Sequence, residues 1–127
     1  MAMMRWLEVG VGLYYFIFGF DGFFKKIPLP QPSENAIIFL KTLESSKYIL
    51  FTVKVVEILV GASWILGIGS GLSWILLTPI WFNIVGYHFF VNKREKYLPL
   101  VLVASHIFLG YKNWPFLCEI IKIGIQN

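Results

Sequence analysis

Charge is scarce in this chain of 127 residues: Asp, Glu, Lys and Arg make up 14% of it, against 57% hydrophobic residues and a mean hydropathy of +0.71. That balance excludes a soluble globular protein, and the length suits one domain, so residues 1–127 read as a single domain in a membrane. Cysteine is scarcer still. Cys118 stands alone, which excludes an internal disulfide, a Cys-x-x-Cys redox pair and thiolate-based zinc sites, and no other metal site is expected. The glycine-rich turn GIGSG, Gly67 to Gly71, lacks both Gly-x-Gly-x-x-Gly spacing and a Walker lysine, which excludes a nucleotide role. The net charge of +4 is concentrated in two loops between apolar runs. It is a topology signal and not a nucleic-acid patch.

What the chain has in quantity is apolar sequence of membrane-crossing length. Leu72 to Val91 is 20 residues without formal charge, enough at ~1.5 Å per residue to cross about 30 Å of hydrocarbon. Similar runs over about 5–24, 48–66 and 97–116 predict a four-transmembrane-helix bundle of the all-α class. Arg5 and the apolar run after it resemble a signal peptide, but Glu8 and the missing Ala-x-Ala site favour an uncleaved first helix. On that helix Glu8, Gly12, Tyr15, Gly19 and Gly22 fall in one narrow stripe at ~100° per residue, the expected packing face. The prolines of IPLPQPS forbid a helix there, and Ser33 then stands as an N-cap for a short amphipathic helix over 34–44, lying on the membrane or over a cavity mouth. In the third span Pro79 frees the carbonyl of Ile75, so the helix is expected to be kinked and packed against protein there.

Basic residues set the expected orientation. Lys25, Lys26, Lys41, Lys47, Lys93, Arg94 and Lys96 lie on the side of the two long loops, and only Arg5, Lys112 and Lys122 on the side of the termini. The positive-inside rule therefore predicts loops 25–47 and 92–96 in the cytoplasm and both termini outside, in a cell membrane, with the bacterial inner membrane as the expected compartment. Trp6, Trp64, Trp74 and Trp114 would form the aromatic belt on the outer side.

Any chemistry would sit with the polar residues inside these spans. Counting from each span's midpoint places Lys54, Glu57, Asn83 and His106 within roughly 5 Å of the midplane, and Asp21 and His88 about 9 to 10 Å towards the loops. A lone charge at such depth costs at least about 2.5 kcal/mol, so these groups are expected to face protein or water and be paired. Glu57 is expected to reach Lys54, Asn83 or His106. Tyr87 shares the face of Asn83 and Pro79, whereas Asn83 and His88 lie about 140° apart on an ideal helix. The bland alternative is packing alone: Lys54 and Glu57 neutralise each other at i, i+3, and His106 bonds a neighbouring helix. Two histidines on adjacent helices suggest haem, but their depths differ by about 6 Å and no Cys-x-x-Cys-His is present.

The stretches GLYYFIFGFDGFFKKIPLPQPS, KVVEILVGASWILG and PIWFNIVGYHFF, in this order and spacing, resemble the DoxX-like family of small four-helix membrane proteins. The resemblance covers the chain to about residue 110. It implies a four-helix bundle and, for some relatives, association with quinone-linked or thiol-linked redox systems. Lys54, Glu57, Asn83 and His88 match the group's recurring polar positions. The expected function is binding of a hydrophobic small molecule, a quinone or lipid, beside a membrane redox enzyme, with Lys54, Glu57, Asn83, His88, His106, Tyr87 and Asp21 as the ligand-binding set. Quinone is the expected cofactor, the bilayer and a redox enzyme or further copies of the chain are the expected partners, and the protein is not expected to be an enzyme on its own. The other readings are a scaffold subunit of a membrane complex, a small transporter and a haem-binding protein.

Overall fold

The computed structural model describes residues 2–126, and all of its regular structure is helical. Helix α1 is Ala2–Phe24, α2 is Glu34–Ser45, α3 is Ile49–Leu66 and α4 is Ser70–Gly86, running on as a π-helical turn over Tyr87–Val91. Helix α5 is Leu98–Lys112 and α6 is Trp114–Gln126. Three stretches are long and apolar enough to cross a membrane: α1, α3 and α4 with its π turn. Helix α5 is apolar but shorter, at 15 residues.

The helices form a ring in which α1 packs on α3, α3 on α4, α4 on α5, and α5 back on α1. Its core is Tyr15, Val60, Trp64, Leu77, Leu102 and Leu109. The α1–α3 seam is the closest, and small residues make it so. Met4, Glu8, Gly12, Tyr15 and Gly19 are the buried residues of α1, the stripe predicted from the sequence with Met4 added and Gly22 only half-buried. A methyl group on Gly61 would lie 2.6 Å from the carbonyl oxygen of Gly12 and 2.6 Å from the amide nitrogen of Phe16. Both atoms belong to the backbone, so only a shift of the whole helix would make room. Gly61→Ala is therefore expected to cost about 2 kcal/mol, read as a lower midpoint of denaturant unfolding in micelles, whereas Gly10→Ala, with nothing within 4 Å of the new methyl, should leave the midpoint unchanged.

Ser33 caps α2, its hydroxyl accepting from the Ala36 amide at 3.3 Å. The same hydroxyl donates to the carbonyl of Val91 at 3.1 Å, and the Ser33 amide donates to Asn92 Oδ1 at 3.3 Å. Arg94 reaches the carbonyls of Gln31 and Pro32 at 3.0 and 3.3 Å. These bonds fasten the two long loops to each other and hold α2, through buried Ala36, beside the end of α4. The Lys25 ammonium, 2.7 Å from Glu44, holds that carboxyl below its ordinary pKa by hydrogen bonding and by charge.

Three expectations are corrected. The fourth helix does not run unbroken over 97–116: it ends at Lys112, and α6 starts anew at Trp114. Asn113 makes the break, with φ −94° and ψ 9°, its side chain donating to the Leu109 carbonyl at 2.8 Å and to Ser70 Oγ at 3.1 Å. Pro79 is exposed and not packed against protein, because it lies on the outward face of α4 with Phe82 and Asn83, both exposed as well; the Asn83 carboxamide donates to the Pro79 carbonyl at 2.8 Å. Trp64 is no belt residue. It is fully buried in the core, whereas Trp6 and Trp114 are exposed.

Candidate functional site

Glu57 faces the ring interior at 4% exposure, and its carboxylate meets the Lys54 ammonium at 3.0 Å. The i, i+3 spacing on one helix suffices to pair them. The stem of Lys54 runs over Gly22, where a side chain on α1 would collide with it. Neither Asn83 nor His106 completes the Glu57 pair.

His106 instead lies between two indoles. Trp74 stacks on one side with ring centroids 4.6 Å apart and Trp81 on the other at 4.3 Å, with interplanar angles of 12° and 16°. Its Nε2 is 3.0 Å from the Thr78 hydroxyl, which donates to the Trp74 carbonyl at 2.7 Å. Both indole N–H groups are satisfied on α5, Trp74 by the His106 carbonyl at 2.8 Å and Trp81 by that of Leu102 at 3.0 Å. This imidazole locks α4 to α5. With its Nε2 engaged and both ring faces covered, it is poorly placed to ligate a haem iron.

His88 stands apart from the midplane groups. Its Nδ1 is 3.3 Å from a Glu95 oxygen without a well-aligned hydrogen bond, and its ring meets Tyr87 edge-on at 5.0 Å. Asp21 works as a loop-closing acceptor, its Oδ1 receiving the amides of Lys26 and Ile27 at 2.8 and 2.9 Å. The seven sequence-predicted residues thus do not converge on one site. Lys54 and Glu57 make one group, His106 a second, His88 a third, and Asp21 serves the chain turn.

Asn83 and Tyr87 do share a place. They line an open groove of about 350 Å³ along the outer face of α4 and its π turn, walled by Phe39 of α2, Phe82, Phe89 and Phe90. Phe39 and Tyr87 lie 5.7 Å apart at 31°. The π turn matters here, since one extra residue in the turn re-aims the side chains that follow it. The groove offers aromatic faces together with one phenol and one carboxamide, whose Oδ1 and second N–H are not used by the Pro79 bond.

The most developed polar network lies at the opposite end of the ring. Glu8 is 1% exposed. One carboxylate oxygen takes the Arg5 guanidinium at 2.8 Å and the Lys112 ammonium at 2.6 Å, and the other accepts from the Ser70 hydroxyl. Arg5 also donates to the carbonyls of Trp64 and Ile65 at 2.5 and 2.6 Å, closing the C-terminus of α3, where Gly67 turns with φ 75°. One carboxylate thereby ties α1, the start of α4 and α5. Glu8 was legible as part of a buried stripe, but Ser70 fell in the glycine turn, Lys112 counted only as a basic residue of the terminal side, and Asn113 lay inside a span expected to run on to residue 116. No family model, no curated protein and no solved structure matches this chain.

Proposed function

We propose that this is a four-span membrane protein of DoxX-like type that binds a hydrophobic small molecule, a quinone or a lipid, and serves a membrane redox system as an accessory. The observation that carries the reading is the groove of about 350 Å³ between Phe39 of α2 and the π turn of α4. It opens outward from an apolar helix, so in a bilayer a lipid-soluble ligand would enter from the side. Its aromatic walls suit a flat ring, and Asn83 and Tyr87 suit a carbonyl or hydroxyl on that ring. Helix α5 would be the fourth crossing, about 22 Å long at 1.5 Å per residue, with the bilayer thinning locally to match. The seven basic residues of the loop side favour a cytoplasmic position for that side.

The test is ligand-dependent stability in lipid nanodiscs. A short-chain quinone at about a hundred times its Kd should stabilise the folded protein by about 2.7 kcal/mol, a rise in Tm of several degrees. Asn83→Leu combined with Phe39→Ala should abolish the rise, measured from that variant's own ligand-free Tm. No rise with quinones or lipids, together with no such molecule in the purified protein by mass spectrometry, would overturn the reading.

One arrangement favours the scaffold alternative. Lys54–Glu57 and Thr78–His106 are each satisfied internally, as packing elements would be. If Lys54 and Glu57 both become apolar without loss of cellular function, while changes on α2 abolish it, the scaffold reading replaces the ligand reading.

A further inference from the structure

Helix α6 has no buried residue along its 13 positions, although Ile120, Ile121, Ile123 and Ile125 are among its side chains and are 45% to 79% exposed. Its polar residues are confined. Glu119, Lys122 and Gln126 fall within about 60° at 100° per residue, and the apolar ones cover an arc of about 200°. Glu119 and Lys122 pair at 3.3 Å, so the polar edge carries no net charge.

The place where α6 begins is fixed by the ring. Lys112 and Asn113 sit at the level of Glu8, Arg5 and Ser70, which are the first turns of α1 and α4. The bundle stops there. A further 13 residues directed outward would carry the apolar arc into water, at a cost that rises with each exposed isoleucine. Two features mark a new start for the chain there. Asn113 interrupts the helix, and the ring of Phe116 occupies the space beside Gly71 on α4 where a side chain would stand. Trp114 at the junction and Trp6 nearby in the chain's first turns are exposed indoles, the residue type that settles at the boundary between headgroups and acyl chains.

We propose that α6 is an in-plane anchor, lying in that boundary on the Glu8 side of the membrane with its isoleucine arc among the acyl chains and its Glu119–Lys122 edge towards water. The occupant of the apolar face is the bilayer itself, continuous with the lipid surrounding α1, α3 and α4. Because the polar edge is neutral, binding relies on apolar burial and needs no anionic lipid. The inference rests on the membrane placement of the three long helices.

The test is site-directed spin labelling of the whole protein in phosphatidylcholine vesicles. In a Cys118→Ser background, single cysteines replace Leu117, Glu119, Ile120, Ile121, Lys122 and Ile125 in turn. Labels at 117, 120, 121 and 125 should collide several-fold more with oxygen than with a nickel chelate, and labels at 119 and 122 should show the reverse. The mean depth should stay constant along α6, and high salt should leave the pattern unchanged. Uniform access to the nickel chelate would overturn the proposal. So would a depth that increases steadily towards residue 126, or dipolar broadening between copies. A label at Leu59→Cys, an exposed position on α3, separates the two failures: if Leu59 also meets only water, the membrane placement has failed, and if it meets lipid while α6 does not, only the anchor has.

Discussion

Glu8→Leu is expected to lower the stability of this protein by about 3 to 5 kcal/mol, the cost of removing one member of a buried ion pair and leaving its partner without a counter-charge. The two cations do not suffer equally. Arg5 keeps the carbonyls of Trp64 and Ile65, but among the described residues Glu8 is the acceptor that meets Lys112, which is 29% exposed. The stranded charge is thus the ammonium, and Ser70 loses its acceptor as well. It follows that Glu8→Leu with Lys112→Leu should be more stable than Glu8→Leu alone, by about 1 to 2 kcal/mol. Arg5→Leu with Glu8→Leu should not recover, since it also uncaps the end of α3. Unfolding midpoints in micelles measure all three. Equal loss in the single and the Lys112 double variant would refute the assignment of the cost to Lys112.

At the other end of the ring, Lys54→Leu is expected to cost about 3 kcal/mol and Glu57→Leu somewhat less, with the double variant better than either. The difference comes from reach. The Lys54 side chain is 26% exposed and that of Glu57 5%, and Lys54 lies one turn inside the start of α3, so its long stem can carry the ammonium out to the loop-side interface. The Glu57 carboxylate has no such route. A double-mutant cycle should give a coupling of about 1 to 3 kcal/mol. Independent, additive losses would show that the two groups are neighbours without being partners.

What could be read from the sequence was whatever depends on one helix at a time. The Gly12–Tyr15–Gly19 stripe follows from 100° per residue alone, and the Ser33 cap of α2 follows from four consecutive residues. The pairing of Lys54 with Glu57 needs only i, i+3 spacing. Depth along a span was equally accessible, but depth does not give azimuth. Trp64 and Asn83 show the consequence: one was read as a belt residue and is the centre of the core, the other was placed in the interior and faces outward. Contacts between remote segments were out of reach. The break at Asn113 depends on Ser70, and the burial of Glu8 depends on Lys112, near the opposite end of the chain. Local chemistry also misled at Pro79, where the rule for an orphaned carbonyl pointed to a neighbouring helix although the proline lies on the outward face of α4 with Phe82 and Asn83.

The Glu8 network also bears on the order in which a ribosome delivers its parts. Arg5 and Glu8 leave the tunnel first, the α3 carbonyls that Arg5 caps follow about sixty residues later, and Ser70 comes next. Lys112 arrives only when α5 has been synthesised. During translation the α1–α3 hairpin can therefore close with Arg5 already at its post, while Glu8 waits for its second cation from the last helix of the ring. A nascent chain stopped before residue 112 would hold that carboxylate against a single positive charge, so the fastening of the first helix is completed only once α5 has emerged.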